Sequence, residues 1–271
     1  MLGKLIKHEY KATYKTFLLL YGGLLLLTLL NKVNLVIDID NPILDTVQTF
    51  LMFLYMIIIL ATFIVTIVVI IMRFYKSLLG DEGYLSFTLP VSAGSHLISK
   101  LVVAATWLVA SVVSIIISLF VLLWDAETIE FINKGWNEFK NFLEYDGAVL
   151  FIFILIIYLI IAVFTSPITY YVSMAIGQLF TRHKLIGSVV GYFIYSMVSQ
   201  ILSMILLVAT TLGKWDLLSN GNVDLNTALG ANEYISYMNN LLIGQGIIMI
   251  ILGIGGFFVT KILLEKKLNL D

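Results

Sequence analysis

The chain has 271 residues, of which 60% are apolar and only 12% charged, and its mean hydropathy is +1.01. Soluble domains carry about 25% charged residues, so this composition places the chain in a bilayer, and no nucleic-acid partner is expected. Cysteine is absent, which excludes disulfides and thiolate metal sites.

Residues 2–17 carry the first pattern. At about 100° per residue, Leu2, Leu5, Ile6, Tyr10 and Phe17 share one face while Lys4, Lys7, Lys11 and Lys15 share the other. This predicts an interfacial helix over residues 1–16, its bases near anionic head groups. Glu9 falls on the apolar side, where a lone carboxylate is costly. It is expected to pair with a base, with Arg182 and Lys184 as candidates.

Six uncharged runs follow, at 16–31, 46–72, 101–124, 147–181, 185–213 and 234–260. A span needs about 20 apolar residues. Five runs suffice alone, and the first does if Lys15 and Lys32 snorkel. The predicted fold is all-α, a single transmembrane domain over 1–271 with six transmembrane helices. An even number of spans puts both termini on one side, which with loops 73–100 and 182–184 holds twelve of the sixteen Lys and Arg. The opposite side holds twelve of the seventeen acids, a split of +7 against −8 beneath a net charge of −1. The positive-inside rule predicts cytoplasmic termini, and the expected location is the plasma membrane.

Between the third and fourth runs, residues 125–146 carry Ile129, Ile132, Trp136, Phe139 and Leu143 at three- and four-residue spacing. They predict an amphipathic helix on the outer leaflet, its aromatic residues serving as interface anchors or as a receptor surface. The fourth run contains Pro167 and is too long for one straight crossing, so a kink or break is expected. Only Arg182, His183 and Lys184 then separate it from the fifth run, which implies a tight hairpin. Gly187 and Gly191 have GxxxG spacing, followed by Ser199 and Ser203; small residues at this period serve a subunit seam or packing within the chain. The external segment 214–240 is rich in Asn, Gly and Asp, and its end from Tyr234 to Asn240 is apolar enough to re-enter the membrane.

Several chemistries are missing. No acid or base lies inside the six runs, whereas ion-driven carriers usually keep one at mid-depth. His8-Glu9 begins a zinc-protease pattern, but Ala12 stands where the second histidine belongs. No lipase-type G-x-S-x-G and no phosphate-cradling G-x-x-x-x-G-K-[ST] occurs. No catalytic residue, metal site or cofactor is assigned to this chain. An energy source, if ATP, must be bound by another subunit.

Loop 73–100, RFYKSLLGDEGYLSFTLPVSAGSHLISK, is long for an elbow between two spans. Arg73 and Lys76 mark the membrane exit. Leu78, Leu79, Tyr84, Leu85 and Phe87 surround the acidic pair Asp81-Glu82, a composition suited to a protein interface. Pro90 then breaks the chain and Ser92 is placed to cap the third span.

Two blocks, LGKLIKHEYKAT with the following LLLYGGLLLL, and DEGYLSFTLPVS with Ser99-Lys100, resemble the membrane permease subunits of type-2, ABCG-like ABC transporters. Together they cover about an eighth of the chain. The resemblance implies two permease chains, identical or homologous, around a central path. It also implies a connecting helix at the N-terminus, a re-entrant segment before the sixth span, and a cytoplasmic ATPase subunit, carrying ATP and magnesium, docked on the loop between spans two and three. On this basis Arg73, Lys76, Leu78, Leu79, Asp81, Glu82, Tyr84, Leu85 and Phe87 are expected to contact the ATPase, with Arg182, His183 and Lys184 a minor second contact. Spans two and five are expected to line the path through Tyr55, Thr62 and Thr66, then Tyr192, Tyr195, Ser199 and Gln200. The equally weighted alternative is that these hydroxyls bond within the helices and the tyrosines mark packing. An uncharged path suits an amphiphile such as an antimicrobial peptide, a lipid or a hydrophobic drug. The rival classes are a self-contained carrier or channel, a membrane-embedded enzyme, and a non-transporting immunity protein.

Overall fold

A computed structural model of the chain describes residues 2–36, 42–80, 83, 88, 91–180, 182–212 and 228–266. These residues contain helices and no strand: α1 (Leu2–Val36), α2 (Pro42–Phe74) running into a π-helical turn (Tyr75–Leu79), α3 (Ala93–Leu122), α4 (Ala126–Leu143), α5 (Ala148–Gly177), α6 (Lys184–Leu212) and α7 (Ala228–Lys266). All but α4 are long and apolar enough to cross a membrane, six in total, as in a multi-pass membrane protein.

Outside and inside have the composition a bilayer demands. Leu18, Leu19, Phe53, Leu60, Leu185 and Ile251 are among many large apolar side chains that face outward. Thr28, Thr62, Thr66, Ser99, Ser111, Ser118 and Thr260 are buried. Lipid solvates leucine as well as a core does, so helix association falls to close packing and hydrogen bonds between small polar groups.

The chain divides into two compact units, Met1–Glu130 and Phe131–Asn269. In the first, α1 packs on α3 and α2. Its buried stripe is Glu9, Thr13, Phe17, Leu24, Thr28 and Asn31, spaced so that one face looks inward. All four lysines of the N-terminal half are exposed, as the amphipathic pattern requires. The helix does not break at residue 16. Its 35 residues are about 52 Å long, which exceeds a hydrocarbon core of about 30 Å; the amphipathic stretch and the first span are one rod.

α2 starts with Pro42 in its first turn, where a missing N–H costs nothing, and Asp45 complements the helix dipole there. Its far end changes the picture of loop 73–100. Helical structure continues through Leu79, with Gly80 N–H bonding Tyr75 C=O at 2.8 Å. Gly83 then folds back so closely that a Cβ would lie 2.7 Å from the Leu78 carbonyl oxygen. Leu78 and Leu79 are therefore interior residues, 0% and 6% exposed, and do not offer themselves to a partner. Ser92 caps α3 as expected, its hydroxyl accepting from Ser95 N–H.

The second unit packs α5, α6 and α7 against one another. α5 continues through Pro167 without a break. The proline leaves the Val163 carbonyl without its usual helical donor, and the Ser166 hydroxyl donates to it at 3.4 Å. α5 and α6 form the expected hairpin and cross at glycines. A Cβ on Gly177 would meet Ser188 N at 2.6 Å, one on Gly187 the Phe180 ring, and one on Gly191 the Ser173 carbonyl oxygen at 3.1 Å. The GxxxG thus serves a seam within the chain. α7 repeats the device, with Gly253 against Thr165, Gly256 against Ile168 and Gly244 against Leu206. Gln245 Nε2 donates to Ser203 Oγ at 2.9 Å. Tyr234 to Asn240 lies within continuous α7 and forms no separate re-entrant turn; residues 213–227 are outside the described set.

α4 is the amphipathic helix read from residues 125–146. It has no buried residue, Trp136 stacks on Phe139 at 5.6 Å, and the Lys140 ammonium lies 5.8 Å from the Trp136 ring centroid. Asp125 Oδ1 accepts from Thr128 N–H at 2.7 Å, satisfying one of the orphan donors at the start of the helix.

Candidate functional site

The most concentrated chemistry in the first unit is where three helices meet around one carboxylate. Glu9 Oε2 accepts from Arg73 Nε at 2.8 Å and Oε1 accepts from Lys100 Nζ at 2.7 Å. The Lys100 side chain is 3% exposed, that of Glu9 10% and that of Arg73 22%. Glu9 is paired, as its cost in an apolar setting requires. Its partners are Arg73 and Lys100, in place of the Arg182 or Lys184 expected from sequence; Arg182 and His183 are exposed at the α5–α6 turn.

Local structure explains the convergence. Arg73 closes α2 immediately before the π-helical turn, where Phe74 and Ser77 are buried and Ser77 Oγ donates to the Arg73 carbonyl at 2.6 Å. Lys100 is two turns past the Ser92 cap, on the face of α3 that buries Leu97, Val103 and Ala104. Arg73 and Lys100 are the two ends of the loop 73–100. One carboxylate on α1 therefore ties both ends of that loop together.

The clasp continues into the α1–α3 contact. Thr13 Oγ1 donates to the Glu9 carbonyl at 3.0 Å and accepts from Trp107 Nε1 at 2.9 Å. Phe17 stacks on Trp107 with ring centroids 4.1 Å apart, and Tyr10 meets the same indole edge-on. Farther along, Tyr21 and Ser111 hydroxyls are 2.9 Å apart and Ser111 and Thr66 2.7 Å, so α1, α3 and α2 share one hydroxyl chain. Tyr55 and Ser118 hydroxyls pair at 2.6 Å. At the opposite end Lys32 Nζ donates to the Leu122 and Trp124 carbonyls at 3.2 and 2.7 Å.

These contacts sort the sequence-predicted residues. Tyr55, Thr62 and Thr66 are 2%, 0% and 1% exposed; Tyr55 and Thr66 bind α2 to α3, and Thr62 bonds back to Ile58 C=O. All three are packed between helices in this chain. On α6, Tyr192 and Gln200 are exposed while Tyr195 and Ser199 are half-buried. Tyr192 stacks on Tyr170, Tyr195 donates to the Leu252 carbonyl at 3.0 Å, and the Ser199 carbonyl accepts from Ser203. Lys76 is exposed, and Asp81, Glu82, Tyr84, Leu85 and Phe87 lie outside the described residues. Trp107, Ser111 and Ser118 were not singled out from sequence; their signal is a polar or amphipathic residue every third to fourth position inside an apolar run.

The site holds no nucleophile beside a base, and among the described residues no three His, Asp or Glu side chains converge on a metal position. What the arrangement does is tie three helices together through one shared carboxylate. Comparison with known proteins finds no matching family model, no similar curated protein and no similar solved structure.

Proposed function

We propose that the chain is the membrane permease subunit of an ABC exporter at the plasma membrane, driven by ATP hydrolysed on a separate cytoplasmic subunit and paired with a second permease chain. One observation carries the reading: Glu9 holds Arg73 and Lys100 together, so a force applied anywhere on the loop between them reaches α1, α2 and α3 at once. The resemblance of the same loop and of the N-terminal block to ABCG-like permeases supports the assignment. Within the loop, the partner contact narrows to Lys76 and the Asp81–Phe87 stretch, because Leu78 and Leu79 are interior. The cargo is an amphiphile, and the exposed Tyr192 and Gln200 on α6 are the remaining path candidates.

The test is purification of the tagged chain from its native membranes, with ATPase activity and subunit composition as readouts. The wild type should retain an ATP-binding-cassette subunit, and alanine at Asp81, Glu82 and Leu85 together should reduce retention at least tenfold. Unchanged retention in that variant, or transport by the chain reconstituted alone, refutes the assignment.

A further inference from the structure

At the end of the first unit remote from the Glu9 clasp, Lys32, Ile116, Ile117, Phe120, Val121 and Trp124 line an open groove of about 540 Å³. This lies within the range of about 300–1,000 Å³ typical of small-ligand sites. Five apolar walls lead to one ammonium. The four largest apolar side chains are all roughly half exposed, and Phe120 and Trp124 form a tilted aromatic pair at 6.1 Å. An apolar slot ending in a charge at the last turn of a span has the form of a lipid.

Charge decides which lipid. Lys32 is bound to the C-terminal carbonyls of α3, the end of a helix that carries about −0.5 charge. Asp125 is exposed and directly follows Trp124, the groove residue whose carbonyl accepts from Lys32, so its carboxylate stands beside the same mouth; hydrogen bonds from Thr128 chiefly, with the Lys32 charge adding to them, hold that carboxyl below the usual range. The groove mouth is therefore zwitterionic. It opposes a purely anionic head group and matches one with a phosphate for Lys32 and a hydrogen-bonding amine for Asp125.

We propose that this groove is a selective site for one phosphatidylethanolamine molecule, with an acyl chain along Ile116, Ile117, Phe120, Val121 and Trp124, the phosphate on Lys32 and the primary amine toward Asp125. The site does not depend on the ABC assignment.

Delipidated full-length protein is titrated with phosphatidylethanolamine, phosphatidylglycerol and phosphatidylcholine of identical chains and read by native mass spectrometry. One phosphatidylethanolamine should bind at least fivefold more tightly than either competitor. K32Q should abolish that selectivity, and D125N, which retains a capping side chain, should bring phosphatidylethanolamine down to the phosphatidylcholine level. Should K32Q not fold, acyl-brominated lipids report on the native protein: the quenching lost in Trp124→Phe should saturate with phosphatidylethanolamine alone. Equal binding of the three lipids, selectivity unchanged in both variants, or a dimer whose Trp124 no lipid quenches, which would put a second copy in the groove, each overturns the proposal.

Discussion

Replacing Glu9 by glutamine tests the clasp most directly. Both carboxylate oxygens are engaged, at 2.8 and 2.7 Å, and the Lys100 side chain is only 3% exposed. The substitution removes the negative charge that Lys100 and Arg73 share, while the similar shape keeps packing intact and one oxygen as acceptor. Breaking a buried pair costs about 3–5 kcal/mol because the surviving charge is stranded, and the retained acceptor argues for the lower end, about 3 kcal/mol. For a chain of this size each kcal/mol moves the melting temperature by about 2–4 °C, so E9Q should melt roughly 6–12 °C below wild type. The assay is the decay of the monodisperse peak on fluorescence-detected size exclusion in one detergent. The double variant E9Q/K100M also removes the buried ammonium and should recover more than half of the loss, leaving Arg73 to reach water through its more exposed side chain. E9Q melting within 1 °C of wild type would refute the reasoning, and so would a double variant no better than E9Q, since the loss could then not come from Lys100.

Other outcomes follow from the packing. Gly177→Ala places a Cβ against Ser188 N and the Lys184 carbonyl at 2.6 and 2.7 Å; backbone atoms cannot step aside, so about 1–3 kcal/mol of overpacking should appear in the same melting assay, whereas Gly3→Ala, with no neighbour near its Cβ, should be neutral. Tyr55→Phe deprives the buried Ser118 hydroxyl of its partner and should cost about 1–2 kcal/mol; a transport defect at unchanged stability would return Tyr55 to the path. For Asp125, hydrogen bonds from Thr128, with the Lys32 charge, lower the carboxyl pKa. A group with a depressed folded value contributes stability above its unfolded pKa and loses it as pH falls through the folded one. Protection of the α4 amides should therefore decline on acidification below the ordinary carboxylate range in wild type and not in D125N, measured by hydrogen exchange on the full-length protein.

The second unit shows how a bilayer changes the reading of a helix. In water, an apolar stripe marks the inward face. Here α6 presents Ile186, Val190, Phe193 and Met197 outward and turns Gly187 and Gly191 inward, so apolar periodicity alone selects the lipid side. The informative signal was the small-residue spacing, which identified a seam but left its partner open until Gly177 was seen opposite.

Features built by near neighbours were legible from the chain alone. Six spans, the amphipathic α4, the Ser92 cap and the α5–α6 hairpin depend on hydropathy, periodicity and capping over a few residues, and those rules act before any tertiary contact forms. Tertiary structure alone decided which charge meets which, because Glu9 lies 64 residues from Arg73 and 91 from Lys100 and any of several other bases would have satisfied it. It also decided that Leu78 and Leu79 are interior and that Tyr55 and Thr66 fasten α2 to α3. Local sequence says that a side chain is apolar or polar; only the neighbouring helices say whether lipid, a partner or protein stands in front of it.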